Sequence, residues 1–300
     1  MSLAQTVRDI KDLKIQGAQH IAFSALDALR EVVLRSHAHA PRILHAEIVK
    51  AKRLLDEARP TEPLLRNYTA GVMHDTDATS VRTLKESLLA NIARLRKEHR
   101  DNFEHIIAIG EQKVPKGSTV FTHCHSSTVT SILKRAHERK KHIVVTNTEA
   151  RPLYQGRTTA KELADAGIPV HHFVDSAVHE ALHHADIMFI GADAITPYAV
   201  INKVGSKLFA EVAKRLEIPV YVVTHALKFD PMTIKGKKEP IESRPSTEVW
   251  DKPPKNVMVH NSAFDEVDPS LIDGVISELG IFPYSAFIEE VRRAYPWIFN

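Results

Sequence analysis

Residues 118–136 read STVFTHCHSSTVTSILKRA, and this stretch decides the fold. It begins with a short apolar run, Thr119–Thr122, and continues through small and polar residues. It ends in a helical pattern in which Val129, Ile132 and Ala136 share one apolar stripe. The stretch therefore predicts one strand, a polar turn and one helix.

Four further apolar runs repeat this pattern along the chain, each followed by small or polar residues and then by a helical pattern. They are residues 142–146, 169–174, 187–190 and 219–223. Repeated strand–helix units pair as a parallel sheet that is covered by helices on both faces. We therefore predict an α/β fold whose second part, residues 113–300, is a doubly wound, Rossmann-like parallel-sheet domain.

The first part of the chain has a different pattern. Apolar residues recur there at spacings of three and four, as in Leu84, Leu88 and Ile92, and no competing strand pattern is present. Prolines interrupt the helical pattern, and they stand at Pro41, Pro60 and Pro63. Residues 1–112 are therefore predicted to form an N-terminal helical domain of three or four helices.

Composition excludes several classes of protein. The chain has 300 residues, of which 43% are hydrophobic and 26% charged, which is typical of a globular protein with a full core and excludes disordered and fibrous chains. The 40 basic residues nearly balance the 37 acidic residues, so nucleic-acid binding is not expected. Neither a membrane span nor a signal peptide is recognisable, and Cys124 is the single cysteine. These features favour a cytoplasmic location.

A basic cluster lies at the end of the first predicted helix of the sheet domain. Its members are Lys134, Arg135, Arg139, Lys140 and Lys141. Cations at a helix C-terminus interact favourably with the helix dipole, so we expect a solvated helix end. RNA binding is the alternative interpretation of this cluster.

Polar residues follow each predicted strand, at the edge where open parallel sheets bind their ligands. The segments are 123–127, 149–152, 175–176, 191–193 and 224–225. They contain Cys124, Arg151, Asp175 and Asp193. We expect these side chains to converge on one crevice.

Two places in this crevice have features of a phosphate site. Ser126 and Ser127 begin a predicted helix, whose free N–H groups can hold an anion. The same helix start is expected to lower the pKa of Cys124 and favour the thiolate, although a lone cysteine is also an ordinary core filler.

The second place follows the fourth strand. Asn202, Lys203 and Gly205 begin a helix there, with a cation beside the N-terminus, although Gly205 is equally consistent with a simple turn. Lys228, after the fifth strand, is a third and weaker candidate.

The sequence 179–183, HEALH, matches the zinc-protease pattern H-E-x-x-H. It lies in a short connecting helix within the histidine-rich segment 171–184, and no third ligand follows at a suitable place. We therefore predict neither a metal nor an organic cofactor.

Taken together, these segments resemble the family that joins ribose-1,5-bisphosphate isomerase, methylthioribose-1-phosphate isomerase and the alpha, beta and delta regulatory subunits of translation initiation factor 2B. The resemblance covers most of the chain. The matching segments, in order, are RPT at 59–61, THCHSS at 122–127, TEARP at 148–152 with QG at 155–156, GADAI at 191–195, VINKVGS at 200–206, KF at 228–229 and NSAFD at 261–265.

The resemblance implies that Cys124 and Asp193 are a catalytic pair, which the isomerases carry and the regulatory subunits typically lose. It implies an aldose–ketose isomerase that acts on a phosphorylated pentose. Our own hypothesis is that Asp193 handles the oxygen-directed proton and Cys124 the carbon-directed proton. The expected substrate-binding residues are Gln16, Gly17, Arg59, Ser126, Ser127, Arg151, Asn202, Lys203 and Lys228.

One departure from the family pattern keeps a second function open. Residues 14–19 read KIQGAQ, so Gln16 stands where the isomerases have an arginine that grips a substrate phosphate. The alternative is a non-catalytic regulatory subunit that senses a nucleotide or sugar phosphate and binds translation initiation factor 2. A different reaction on a phosphorylated small molecule is a third possibility.

The resemblance also implies self-association, as a homodimer or as a hexamer built from three dimers. Apolar residues near the C-terminus are consistent with either an interface or the core. They are Ile281, Phe282, Tyr284, Phe287 and Trp297.

Overall fold

A computed structural model describes residues 2–76, 78–238 and 241–299. The first part of the chain is helical throughout. Its helices are α1 (Leu3–Lys11), α2 (Ala18–Arg35), α3 (Pro41–Asp56), α4 (Pro63–Met73) and α5 (Val81–Lys113).

Short strands alternate with helices in the second part. The strands are β1 (Thr119–Thr122), β2 (Val144–Thr148), β3 (Val170–Phe173), β4 (Ile187–Ile190), β5 (Ala194–Ile195), β6 (Val200–Lys203), β7 (Val220–Val223), β8 (Phe264–Val267), β9 (Gly274–Ser277) and β10 (Gly280–Phe282). The helices are α6 (Ser127–Glu138), α7 (Gln155–Asp165), α8 (Val178–His183), α9 (Ser206–Arg215) and α10 (Tyr284–Ala294).

The main sheet has seven strands in the order β10-β9-β7-β4-β1-β2-β3. All neighbouring pairs are parallel except β9 and β10, which pair antiparallel. The chain runs outward from β1 through β2 to β3, and then crosses to β4 on the other side of β1. The predicted doubly wound, Rossmann-like sheet is therefore confirmed, and its order reverses between β1 and β4.

The inner strands of the sheet are largely buried on both faces, whereas the edge strands β3 and β10 are partly exposed. Successive residues of β1 belong to different hydrophobic clusters: Val120 packs with Ile132 of α6, whereas Phe121 meets Phe209 of α9 edge-on at 5.9 Å. Since alternate residues of a strand point to opposite faces, the two clusters cover opposite faces of the sheet.

The helical part contains five described helices, so the prediction of three or four was wrong. Pro41 and Pro63 stand in the first turns of α3 and α4, where a missing N–H costs nothing. The break that sequence analysis missed lies between α1 and α2. Gly17, with φ at 81°, precedes α2 there, and no proline marks the turn.

A second, three-stranded antiparallel sheet was also missed, with the order β5-β6-β8. Its first strand has only two residues, too few to show an alternating pattern. Strand β9 and the edge strand β10 of the main sheet were missed as well.

One hydrophobic cluster joins the two parts of the chain. It contains Leu29 of α2 and Leu88 of α5 together with Val222 of β7 and Phe287 of α10. Helix α5 itself runs to Lys113. The division at residue 112 stays a prediction, and the helices form a continuous core with the sheet.

The basic cluster at the end of α6 is largely engaged in ion pairs. Lys134 lies 3.3 Å from Glu162, and Lys141 lies 2.8 Å from Glu111. Arg135 also has an acidic partner, at 2.6 Å. This arrangement favours a structural role for the cluster.

The apolar residues near the C-terminus divide between core and surface. Phe287 and Tyr284 are buried, whereas Ile281 is 39% exposed. Within the described ranges, no helix is long and apolar enough to cross a membrane.

Candidate active site

The candidate site lies where the strand order reverses, beyond the carboxyl ends of β1 and β4. Thr122 of β1 is in register with Phe189 of β4, so the loops that carry Cys124 and Asp193 leave the sheet side by side. A crevice of this kind is the usual ligand site of an open α/β sheet.

Gly191 allows the two loops to approach closely. A Cβ at this position would lie 3.0 Å from the Cβ and 3.1 Å from the Oγ of Ser126, and 4.0 Å from the Oδ1 of Asn202. Three segments that the sequence singled out therefore meet at one point, and a side chain at Gly191 would push them apart.

Cys124 has an unusual backbone conformation, with φ at 66° in the left-handed region. Its carbonyl accepts a hydrogen bond from the Thr159 hydroxyl at 2.8 Å, which ties the loop to α7. Backbone strain of this kind persists where the surrounding structure holds it, and it is concentrated at functional sites.

The expectation that the helix start lowers the pKa of Cys124 was wrong. Although the residue keeps part of its surface exposed, desolvation by the surrounding protein raises the pKa of its thiol to about 12. The backbone N–H of His125 and the cation of Lys203 act in the opposite direction, and Asp193 adds to the rise in pKa. The resting group is therefore a neutral thiol.

Asp193 has the environment of a general acid. Burial raises the pKa of its carboxyl, while the cations of Lys228, Arg59 and Lys203 partly offset the rise in pKa. The described residues donate no hydrogen bond to this carboxylate. A carboxyl whose pKa is raised in this way is suited to donate a proton.

Ser126 and Ser127 lie at the start of α6 as expected. The Oγ of Ser126 accepts a hydrogen bond from Val129 N at 3.4 Å and caps the helix, while Ser127 is exposed. The helix start faces the crevice through the contact of Ser126 with Gly191.

The end of β6 places Asn202 and Lys203 on the crevice. Asn202 is buried and donates through Nδ2 to the Oγ of Ser206, at the start of α9, at 2.9 Å. Lys203 is 7% exposed and lies close enough to act electrostatically on Cys124 and Asp193. Such a buried cation is suited to hold an anionic ligand.

His123 was named in the sequence but not assigned a role, and the structure makes it a connector. Its Nδ1 lies 2.9 Å from the Thr148 hydroxyl and its Nε2 3.0 Å from the carbonyl of Val204. Burial lowers the pKa of His123 to about 4, so the ring is neutral at pH 7. It joins the ends of β1, β2 and β6.

Arg151 lies in a turn that Asp175 holds in place. The Asp175 carboxylate accepts the N–H groups of Ala150 and Arg151 at 2.9 and 2.7 Å. The Arg151 guanidinium donates to the hydroxyl of Tyr154 at 2.6 Å and borders a cavity of about 200 Å³, which Val249 also lines. Asp175 thus supports the site rather than facing a ligand.

Lys228 and Arg59 approach Asp193 from two further elements. The Nζ of Lys228 donates to the carbonyl of Ala192 at 2.5 Å. The guanidinium of Arg59 pairs with Glu242 at 3.1 and 3.2 Å. Sequence analysis missed Glu242, because residues 238–262 carry no helix or strand pattern.

A second carboxyl, Glu62, was also missed. It is 2% exposed, its Oε1 lies 4.0 Å from the Nε of Arg59, and its charge interactions include Asp193 and Lys228. The signal that could have found it is its position directly after the segment RPT at 59–61.

Two predicted residues lie outside this group. Gln16 and Gly17 are exposed, and the Gln16 amide donates to the carbonyl of Leu13 at 2.7 Å. In the described structure, the segment before α2 therefore does not bring either residue against Asp193.

The histidine-rich segment does not assemble a metal site. The rings of His179 and His183 stack at 6.1 Å on α8. No group of three or more His, Cys, Asp or Glu side chains suited to a metal ion is found in the parts of the chain that the structure describes.

Comparison with known proteins identifies the family of this chain. The model of the initiation factor 2 subunit family matches residues 14–284. The chain belongs to this family. The resemblance in the sequence is thereby confirmed, and the match includes both Cys124 and Asp193.

Relatives in this family bear the names of enzymes and of initiation factors. The chain is 37% identical to ribose 1,5-bisphosphate isomerase of Pyrococcus furiosus, over 97% of this chain and 93% of the relative. It is 32% identical to methylthioribose-1-phosphate isomerase of Heliobacterium modesticaldum, over 92% and 86%.

The fold also matches a solved structure closely. The translation initiation factor eIF-2B of Pyrococcus horikoshii OT3 superposes with a TM-score of 0.81 at 27% identity, over 94% of this chain and 96% of that one. The predicted α/β class is confirmed by this match.

Proposed function

We propose that this protein is an aldose–ketose isomerase that acts on a phosphorylated pentose with a substituent on carbon 1. The observation that carries the proposal is the pair Cys124 and Asp193, which stand on neighbouring loops at the switch point of the sheet. The names of the relatives agree with this activity.

The reaction requires two proton relays. When carbon 1 carries a phosphate, the ring opens only after its oxygen is protonated, and Asp193 supplies that proton. A base then removes the proton from carbon 2, and the same group returns one to carbon 1. The carbon 2 hydroxyl gives its proton back to Asp193 and becomes the ketone, so protons and bonds balance.

Cys124 is assigned to the carbon-directed transfer. Since burial raises the pKa of its thiol to about 12, the thiol must lose its proton to solvent before it acts as a base. Lys203 is the cation that lowers the pKa of Cys124, and it therefore stabilises the thiolate when it forms.

We assign the remaining polar side chains of the site to binding the phosphate and sugar oxygens of the substrate. Lys203 and the start of α6 at Ser126 and Ser127 provide a cation and free N–H groups for phosphate. Arg151 and Lys228 are further cations at the same edge of the sheet, and Asn202 orients a hydroxyl. We assign Arg59 to closing the site from the helical part.

Gln16 and Gly17 are assigned to the far end of the substrate. A neutral amide at Gln16 replaces the arginine expected there, so a phosphate at this end would lose one charged contact. The exposed position of Gln16 is consistent with a segment that contacts the ligand only when it is bound.

The alternative is a non-catalytic regulatory subunit that senses a nucleotide or sugar phosphate and binds translation initiation factor 2. The specific observation in its favour is Gln16, together with the name of a relative that is 30% identical, a putative translation initiation factor eIF-2B subunit 2-like protein of Pyrococcus furiosus.

A thermal-shift panel separates the two functions, since a ligand that binds the native state raises the melting temperature. Wild type and Cys124→Ser would be heated with ribose 1,5-bisphosphate, other pentose phosphates and nucleotides. We expect a pentose phosphate to stabilise both proteins and only the wild type to convert it. Stabilisation by nucleotides alone, without conversion of any sugar, would favour the regulatory subunit.

We also propose self-association, as a homodimer or a hexamer of three dimers, in a reducing cytoplasm that keeps Cys124 as a thiol. Light scattering of the purified protein tests the assembly. A monomer at micromolar concentration would contradict it.

A further inference from the structure

Glu62 is a buried carboxyl beside the candidate catalytic pair. It is 2% exposed, and its Oε2 is buried without a hydrogen-bond partner among the described residues. Buried carboxyl oxygens are normally paired, so an unpaired one requires an explanation.

Two hydrogen-bonded links hold Glu62 against the Asp193 loop. Glu62 directly precedes α4, whose Asn67 donates through Nδ2 to the carbonyls of Leu227 and Phe229 at 2.8 and 2.9 Å. Lys228, between those two residues, donates to the carbonyl of Ala192, the neighbour of Asp193. The start of α4 is thereby fixed on the site.

Five charged groups from four segments of the chain interact here. Glu62 and Arg59 come from the segment before α4, Asp193 follows β4, Lys228 follows β7, and Glu242 belongs to the segment after Lys228. Lys203 of β6 additionally faces Asp193.

The pairing among these groups is uneven. Arg59 donates one hydrogen bond to the Oε1 of Glu242 at 3.2 Å, its Nη2 lies 3.1 Å from the Oε2, and Arg244 also approaches Glu242 at 3.5 Å. Glu62 and Asp193 are left to share the remaining cations, and the Oε2 of Glu62 has no hydrogen-bond partner among the described residues. Two neighbouring carboxyls that are shielded from solvent seldom ionise together, because each charge raises the pKa of the other.

We propose that Glu62 shares a proton with Asp193 and so maintains Asp193 in its acid form at neutral pH. Glu62 acts through Asp193 and is a positioning residue. The inference rests on the proposed isomerase function, in which Asp193 protonates the ring oxygen. Burial, followed by the charge of Asp193, raises the pKa of Glu62 to about 8, so the two carboxyls together hold one proton near neutral pH.

The pH profile of kcat tests the proposal. In Glu62→Gln, Asp193 has no Glu62 carboxyl with which to share a proton, so it should lose its proton at lower pH. The pH at which kcat begins to fall on the basic side of the profile is expected to decrease by about one unit or more. Above that pH, kcat should fall about tenfold per pH unit. Glu62→Asp should keep the wild-type profile.

Glu57→Gln is the matched control, because Glu57 has a side chain that is 61% exposed and lies at the end of α3. It should leave the profile unchanged. If Glu62→Gln lowers kcat at every pH but leaves the pH values of both limbs of the profile unchanged, Glu62 has a merely structural role. That result would overturn the proposal.

Infrared difference spectroscopy tests the shared proton without turnover. Wild type minus Glu62→Gln at pH 7 should show the carbonyl stretch of one protonated carboxyl, whereas wild type minus Glu57→Gln should not. The absence of that band would overturn the proposal. A band without isomerase activity would leave the shared proton intact and reject the proposed function.

Discussion

At the residue scale, the conformation of Cys124 shows a conflict between stability and function. A non-glycine residue with φ at 66° is strained, and the position retains a thiol instead of the glycine that would fit. Turns elsewhere in the chain have the same conformation, as at Leu13 and Lys140, but at Cys124 the strained residue stands at the switch point of the sheet. The backbone at Cys124 therefore agrees with a chemical role.

Replacing Cys124 with glycine and with alanine separates strain from chemistry. Glycine relieves the strain and alanine keeps it, so Cys124→Gly should be more stable than Cys124→Ala by about 1 kcal/mol in urea unfolding, the reverse of the usual order. Both variants should lose at least about 100-fold in kcat, because a proton-transfer group is missing. Wild-type turnover in either variant would contradict this role.

The reactivity of Cys124 reports its protonation state directly. Since burial raises the pKa of its thiol to about 12, alkylation by iodoacetamide should be slow at pH 7 and rise about tenfold per pH unit up to pH 9. Because Cys124 is the single cysteine, the mass of the whole protein measures the rate. A plateau by pH 8 would show that the thiolate forms readily.

The positions of the site residues were predictable from the sequence, whereas their protonation states were not. Cys124 and Asp193 follow strands and were therefore expected at one edge of the sheet. The state of the thiol depends on the balance between desolvation and the helix start, and desolvation is not visible in sequence. Glu62 and Glu242 come from distant segments, and only the folded chain brings them to Asp193.

At the element scale, α4 and the loop around Lys228 depend on one amide. Asn67 is 5% exposed and donates to the carbonyls of Leu227 and Phe229. Asn67→Ala should cost about 2–4 kcal/mol in urea unfolding, because two buried carbonyls lose their donor. It should also raise KM, because Lys228 is no longer held.

Asn91 provides the control for Asn67. It donates through Nδ2 to the carbonyls of Val72 and His74, at 3.2 and 2.8 Å, within the helical part. Asn91→Ala should reduce stability with KM unchanged. Equal KM values for the two variants would contradict a role of α4 in positioning Lys228.

Elements with long patterns were predictable, and short ones were not. The five strands read from the sequence all lie in the main sheet, and β1, β4 and β7 among them are the near-continuous apolar runs expected of buried parallel strands. Strand β5 has two residues, and its place is decided by pairing with β6. The turn at Gly17 gave no proline signal, and so α1 and α2 were not separated.

At the scale of the whole molecule, buried histidines join the helices to the sheet. The rings of His99 on α5 and His225 after β7 stack with their centroids 5.2 Å apart, and the hydroxyl of Tyr68 lies 2.6 Å from the Nδ1 of His99. Burial is the largest cause that lowers the pKa of both histidines to about 3. Both rings are neutral in the folded protein at pH 7.

These histidines predict loss of stability in acid. Their folded-state pKa lies below the unfolded value of about 6.5, so the unfolded chain binds more protons and stability falls as pH drops from 6.5 towards 3. Near pH 5, His225→Asn should reduce the slope of unfolding free energy against pH by about 1.4 kcal/mol per unit. Exposed His45 provides the control, and His45→Asn should leave that slope unchanged.

The overall architecture was predictable because helical and strand periodicities occupy different parts of the chain. The way the parts join was not. The division at residue 112 follows the change of pattern, whereas the core runs through Leu29, Leu88 and Val222 without a break. Sequence periodicity predicts which face of an element is apolar, and only the structure identifies the element against which that face packs.

The most direct test of the central claim is proton NMR of wild type with ribose 1,5-bisphosphate, ribose 5-phosphate and 5-methylthioribose 1-phosphate in D₂O. We predict that at least one carbon-1-substituted ribose is converted to its ketose, with solvent deuterium at carbon 1, and that ribose 5-phosphate is a poorer substrate. Deuterium at carbon 1 would show that the transferred proton exchanges with solvent through a protein group. Recovery of all three sugars unchanged at high enzyme concentration would contradict the isomerase assignment.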